Sequence, residues 1–175
     1  MKKERRIHRA WWMLIGCCLL QGGSLGIIHN CRGIFYDPVI EDLGFGMGAF
    51  SFYILFFGVC SCFVLPFVGK LFRKVDSRIL LGGASLVFSG TVFAMGFFHT
   101  LPAFYIAGAI QGFASAFLMF FPAPYILGNW FYKKRGLAVG LSAAVAGLAG
   151  VLGNPLGNAI IRAFGWRMGF FSFGL

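Results

Sequence analysis

Residues 47–69 read MGAFSFYILFFGVCSCFVLPFVG, an apolar run without a single charged side chain. A bilayer hydrocarbon core about 30 Å thick is crossed by roughly 20 such residues at a helical rise of about 1.5 Å each. The stretch, taken as about Met47–Leu71, therefore has the length of a transmembrane helix. Outward from it lie four more runs of the same kind, at about Ala10–Phe35, Ile79–Phe98, Ala103–Leu127 and Gly136–Ile161. Met168–Leu175 reads as the opening turns of a sixth, too short to span. The expected organisation is a basic N-terminus over 1–9, followed by an incomplete six-helix domain over 10–175 (helices about 10–35, 47–71, 79–98, 103–127, 136–161 and 168–175). This is an all-α integral membrane fold with five complete transmembrane helices and the start of a sixth.

Composition agrees. Of the 175 residues, 59% are hydrophobic and 11% charged, with 26 glycines on top. A soluble domain averages about 25% charged residues, and a disordered chain is poor in the aromatic and aliphatic residues abundant here. The cysteines, Cys17, Cys18, Cys31, Cys60 and Cys62, lie in apolar runs without CxxC spacing or a neighbouring His or acidic cluster. No metal site and no cofactor is expected from them. The chain has no HExxH, GxSxG or Walker pattern and no paired carboxylates at membrane depth, so an enzyme is not expected. Leu14-Ile15-Gly16-Cys17 resembles a lipoprotein processing box, but the apolar stretch before it is short and four further spans follow.

The 15 Lys and Arg divide unevenly between the two sides. Lys2, Lys3, Arg5, Arg6 and Arg9, then Lys70, Arg73, Lys74 and Arg78, then Lys133, Lys134 and Arg135 fall on one side. Arg32, Arg162 and Arg167 fall on the other, with Asp37, Glu41 and Asp42. Short cytoplasmic loops hold the excess of basic residues, so the N-terminus is expected in the cytoplasm, in a plasma-membrane protein. The basic charge serves topology and anionic headgroups, and no nucleic-acid partner is expected. Tryptophan prefers the headgroup level, and Trp11, Trp12, Trp130 and Trp166 all lie at span ends.

The fifth run carries small residues at steps of three or four: Gly136, Gly140, Ala143, Gly147, Gly150, Asn154 and Gly157. In lipid, helices associate by close packing, which such a seam permits. It is either a general helix contact or a sliding contact beside a transport path. Pro66, Pro122, Pro124 and Pro155 are expected to bend their helices. Polar residues at membrane depth are few, which makes them candidates for a substrate path: Arg32, His29, Asn30, Gln111, Asn154 and Asn158. Arg32 either snorkels to the headgroups or binds an anion. His29 is either a hydrogen-bonded helix residue or a proton relay.

The segment Asn129-Trp130-Phe131-Tyr132-Lys133-Lys134-Arg135-Gly136-Leu137-Ala138-Val139-Gly140, the basic loop after the second run, and Gly165-Trp166-Arg167 resemble the major facilitator superfamily. The Asn-Trp-Phe loop before a Gly-rich helix is most similar to its branch of oxalate:formate antiporters and monocarboxylate porters. In the superfamily's loop signature Gly69, Lys74 and Arg78 fit; Arg73 stands at the acidic position and Asp76 at the second glycine, so Asp76 is the candidate displaced acid. Proton-coupled drug exporters carry an Arg three residues before Gln-Gly, where this chain has Gly108 before Gln111-Gly112. The resemblance implies the N-terminal portion of a twelve-helix secondary transporter, its missing C-terminal half completing a midplane site. The implied cargo is a small solute, an organic anion or monocarboxylate, with a coupling ion. The competing expectation is a truncated, non-transporting membrane protein that only packs with a partner.

Overall fold

The computed structural model describes residues 2–120, 122–130 and 135–174, with side chains described over 11–119, 124–128 and 135–174. The loop residues 131–134, the side chains of Asn129 and Trp130, and the side chains of the N-terminus over 1–10 lie outside that description. Helix α1 (Lys2–Gln21) continues through a π-helical segment, Gly22–His29, and a 3-10 turn, Arg32–Phe35, into α2 (Tyr36–Leu43). Then follow α3 (Met47–Lys74), α4 (Ser77–Met95) and α5 (Leu101–Ser115). A second π-helical segment, Ala116–Phe120, joins α5 to α6 (Pro122–Trp130). Helices α7 (Arg135–Phe164) and α8 (Trp166–Gly174) complete the described chain.

Among the described residues, five stretches are long and apolar enough to cross a membrane: Trp11–Leu43, Met47–Lys74, Ser77–Met95, Leu101–Gly128 and Arg135–Phe164. The first outlasts its apolar run. Helical geometry persists past Phe35 through Asp37, Glu41 and Asp42, and stops at Gly44, whose φ of 68° is the left-handed conformation that ends helices. Gly165, φ 84°, turns the chain from α7 into α8 in the same way. Pro102 in the first turn of α5 gives up no hydrogen bond there. The surface is apolar: Leu19, Phe63, Phe67, Leu86, Leu148 and Phe164 are each more than 60% exposed. A water-soluble bundle would bury such side chains, so the chain is a multi-pass integral membrane protein.

Packing is organised by glycines. A Cβ on Gly108 would strike the Tyr53 carbonyl oxygen, and one on Gly112 the Phe57 carbonyl oxygen, so two glycines one turn apart let α5 lie directly on the α3 backbone. Gly26 in the first span meets the Ala146 carbonyl of α7 in the same manner. Helix α4 packs against α5 and α8.

Along α7 the glycines of the expected seam fall into two groups. Gly150 lies against Asn30 and the Gly26 carbonyl, and Gly157 against Ile34 and Phe173, whereas Gly136, Gly140 and Gly147 face open space. The buried line is Ala138, Ser142, Ala146, Gly150, Gly153, Gly157 and Ile161. A strict alternation of four and three has a period of 3.5, from which a straight helix drifts by about 20° per heptad. The two lines coincide near Gly150 and Gly157 and diverge toward the start of α7.

One end of the bundle carries Asp37, Glu41, Asp42 and Arg167 and is called here the acidic end; the other carries Arg73, Lys74 and Arg78 and is the basic end. At the acidic end Trp166 Nε1 donates to Asp42 Oδ2 at 3.0 Å, Arg167 lies 3.8 Å from the same oxygen, and His99 Nε2 is 2.9 Å from Arg167 Nη1. At the basic end the carbonyl of Asp76 accepts from the backbone N–H of Ile79 and Leu80 and starts α4. Among the described residues its carboxylate forms no ion pair with Lys74, Arg78 or any other cation.

Candidate functional site

Two residues, Asn30 and Cys31, separate Arg32 from the π-helical segment, at whose end the backbone N–H of Asn30 reaches back to the Leu25 carbonyl at 3.1 Å. Each extra residue accommodated in a widened turn rotates everything after it by about 100°. The result is an arginine aimed inward. Only 8% of it is exposed, so it does not snorkel to the bilayer surface.

Its surroundings come from four other elements. The guanidinium carbon sits 4.0 Å from the Phe57 ring centroid and 5.9 Å from that of Tyr53, both on α3. Nη2 donates to Gln111 Oε1 on α5 at 3.0 Å. Gln111 is 1% exposed and donates its Nε2 to Met95 Sδ on α4 at 3.1 Å, which turns its carbonyl oxygen toward Arg32. Phe170 and Phe173 of α8 close the far wall. Between these groups is a cavity of about 20 Å³, the size of a single water site, since roughly 10–15 Å³ of probe volume is the minimum for one.

Depth follows from counting. Phe57 and Gln111 each stand ten residues from the acidic-end start of their helices, Met47 and Leu101, and Arg32 stands ten before Asp42. At helical rise each count gives about 15 Å, half of a hydrocarbon core about 30 Å thick.

Arg32 Nη1 is buried and has no hydrogen-bond partner. Among the described residues no carboxylate reaches it: Asp37, Glu41, Asp42 and Asp76 are all exposed at the bundle ends. An unpaired buried charge costs several kcal/mol. The two aromatic faces and one amide oxygen offset part of that, and one side of the guanidinium fork stays open in a position suited to an anion.

The other expected path residues separate into two groups. His29 joins the Arg32 site: its ring centroid is 5.4 Å from that of Phe57, and its Nδ1 is buried without a partner. Asn30 is exposed beside Gly150, and Asn154 donates Nδ2 to the Gly150 carbonyl at 2.9 Å, so both belong to the face between the first span and α7. Asn158 is exposed further along α7. Sequence reasoning did not single out Tyr53, Phe57 or Met95, which are apolar or aromatic residues in apolar runs. It named Gly108 and Gly112 only beside Gln111 and did not read them as a helix contact, although their four-residue spacing was a visible signal.

A family model described as Major Facilitator Superfamily matches residues 18–175. The chain is 27% identical over 164 residues to monocarboxylate transporter 3 of Mus musculus, covering 93% of this chain and 33% of that protein. It is 28% identical over 166 residues to the oxalate:formate antiporter of Oxalobacter formigenes, covering 94% and 39%. It is also 25% identical over 172 residues to the multidrug transporter protein MdtP of Bacillus subtilis, covering 98% and 31%. The chain thus spans between three and four tenths of the length of these relatives.

Proposed function

The chain belongs to the major facilitator superfamily, and from that premise we propose that it is the N-terminal portion of a secondary transporter for a small organic anion, with Arg32 as the anion-binding group. The observation that carries the choice of an anion is the buried guanidinium with an unpartnered Nη1 and, among the described residues, no carboxylate beside it. Relatives named for monocarboxylates and for oxalate and formate support the same cargo class. A carboxylate entering the site would meet a planar donor fork in a dry, aromatic-walled setting, where charge-assisted hydrogen bonds are strong.

In this reading the second half of the carrier, following residue 175, completes the site, and the two halves rock about it to expose it alternately on each side. The basic end, with Arg73, Lys74 and Arg78, is cytoplasmic by the distribution of positive charge, and the membrane is the plasma membrane. A coupling ion accompanies the anion. The chemistry is binding and release without bond making, so the protein is not an enzyme.

The test is exchange by the complete reading frame reconstituted in liposomes. Radiolabelled formate, acetate, lactate and pyruvate are offered, with acetamide as the neutral counterpart of acetate. Saturable exchange of one or more of the anions, inhibited by the others and not by acetamide, is expected. Transport of the neutral solute alone, or of no anion by protein shown to be folded and inserted, overturns the reading and leaves a membrane protein that only packs with a partner.

A further inference from the structure

The Arg32–Gln111 contact points to a second role inside the site. We infer that Gln111 is an internal stand-in for the substrate: its amide oxygen occupies one of the two carboxylate-oxygen positions on the Arg32 fork in the empty carrier, and the anion must displace it to bind bidentately. The inference rests on the reading of Arg32 as the anion-binding group and adds a residue that sets affinity and release.

Three observations support it. The amide oxygen lies 3.0 Å from Nη2, a hydrogen-bond distance that a carboxylate oxygen would also take. The neighbouring Nη1 is buried and unpartnered, so the fork is half occupied. The cavity beside it, about 20 Å³, admits about one water and not a carboxylate group with its substituent, so entry of an anion requires something lining it to move. Gln111 is the lining group whose departure frees both space and a donor. Its other end is held by Met95 Sδ, a weak acceptor that releases an amide readily.

The stand-in changes the balance between empty and loaded states. With Gln111 present, the empty carrier satisfies Nη2 and release of the anion is helped by the returning amide. Without it, Nη2 is left bare in the empty state, and binding gains what the empty state lost. Positioning residues that serve only to hold Arg32 would act in one direction: any substitution would weaken binding.

The experiment compares Gln111→Leu and Gln111→Glu in the complete carrier, using whichever radiolabelled monocarboxylate the unaltered protein exchanges fastest, normalised to the amount at the surface. Gln111→Leu removes the competing oxygen at similar volume; its apparent KM is expected to fall roughly three- to tenfold, with a lower maximal exchange rate because release is slowed. Gln111→Glu places a carboxylate on the fork; its apparent KM is expected to rise roughly tenfold or more. If Gln111→Leu does not reach the membrane, Gln111→Met replaces it. Opposite signs at one position support the inference. Equal signs, or no change in either, overturn it while Arg32→Gln still raises KM; an unchanged KM in Arg32→Gln overturns the reading of Arg32 and this inference with it.

Discussion

Arg32 and Gln111, separated by 79 positions in the chain, meet through a single 3.0 Å hydrogen bond in the interior of the helix bundle. The contact ties the first span to α5 at about mid-membrane depth. It exists because Gly108 and Gly112 bring α5 down onto α3, where Tyr53 and Phe57 form the aromatic wall that the guanidinium rests on.

That close approach is testable by adding one methyl group. Gly112→Ala puts a Cβ against the Phe57 carbonyl, a backbone atom that cannot step aside, and overpacking of this kind typically costs about 1–3 kcal/mol. Gly140→Ala, in open space on α7, should be neutral or slightly stabilising, because alanine is the better helix former. Thermal unfolding of both variants in detergent checks the pair; a destabilised Gly140→Ala with an unaffected Gly112→Ala would restore the regular small-residue seam and remove the α3–α5 contact from the account.

Topology gives an independent check. Single cysteines placed at Ser77 and Glu41 in a cysteine-free background should differ in access from outside intact cells: Glu41 labels with a membrane-impermeant maleimide and Ser77 does not. The reverse pattern would invert the assignment of the basic end to the cytoplasm.

At the acidic end, Asp42 receives the Trp166 N–H at 3.0 Å and lies 3.8 Å from Arg167, with both charged side chains more than a third exposed. Solvent screens such a pair, which is worth less than about 1 kcal/mol. Asp42→Asn keeps an acceptor for the indole and should shift the unfolding temperature little, whereas Asp42→Ala loses the acceptor and should shift it more. Equal shifts for Asn and Ala would mean that the charge, not the Trp166 hydrogen bond, is the stabilising element.

The spans were legible because membrane solvation imposes a length and an apolarity that any reader can count. Arg32 was legible as an exception within such a run, but its direction was not. Its inward aim follows a π-helical segment over Gly22–His29, and a pattern read at the ordinary helical period has no means of registering added residues per turn. Gln111 was legible as polar; that it faces Arg32 depends on which helices pack together, which no local pattern carries. On α7, Gly136, Gly140 and Gly147 lie off the buried line because that line runs in steps of four from Ala138 to Gly150, which a repeating alternation of three and four does not follow.

The central claim, that Arg32 binds the anion, is tested most directly by the apparent affinity of Arg32→Gln and Arg32→Lys for the exchanged monocarboxylate in the complete carrier, normalised to surface amount. Loss of a charge-assisted contact worth about 1.5–3 kcal/mol predicts a rise in KM of roughly ten- to a hundredfold for Gln, with partial recovery in Lys, which keeps the charge and loses the planar fork. An unchanged KM in Arg32→Gln, with only the amount of inserted protein reduced, would contradict the claim and leave Arg32 as a buried packing element.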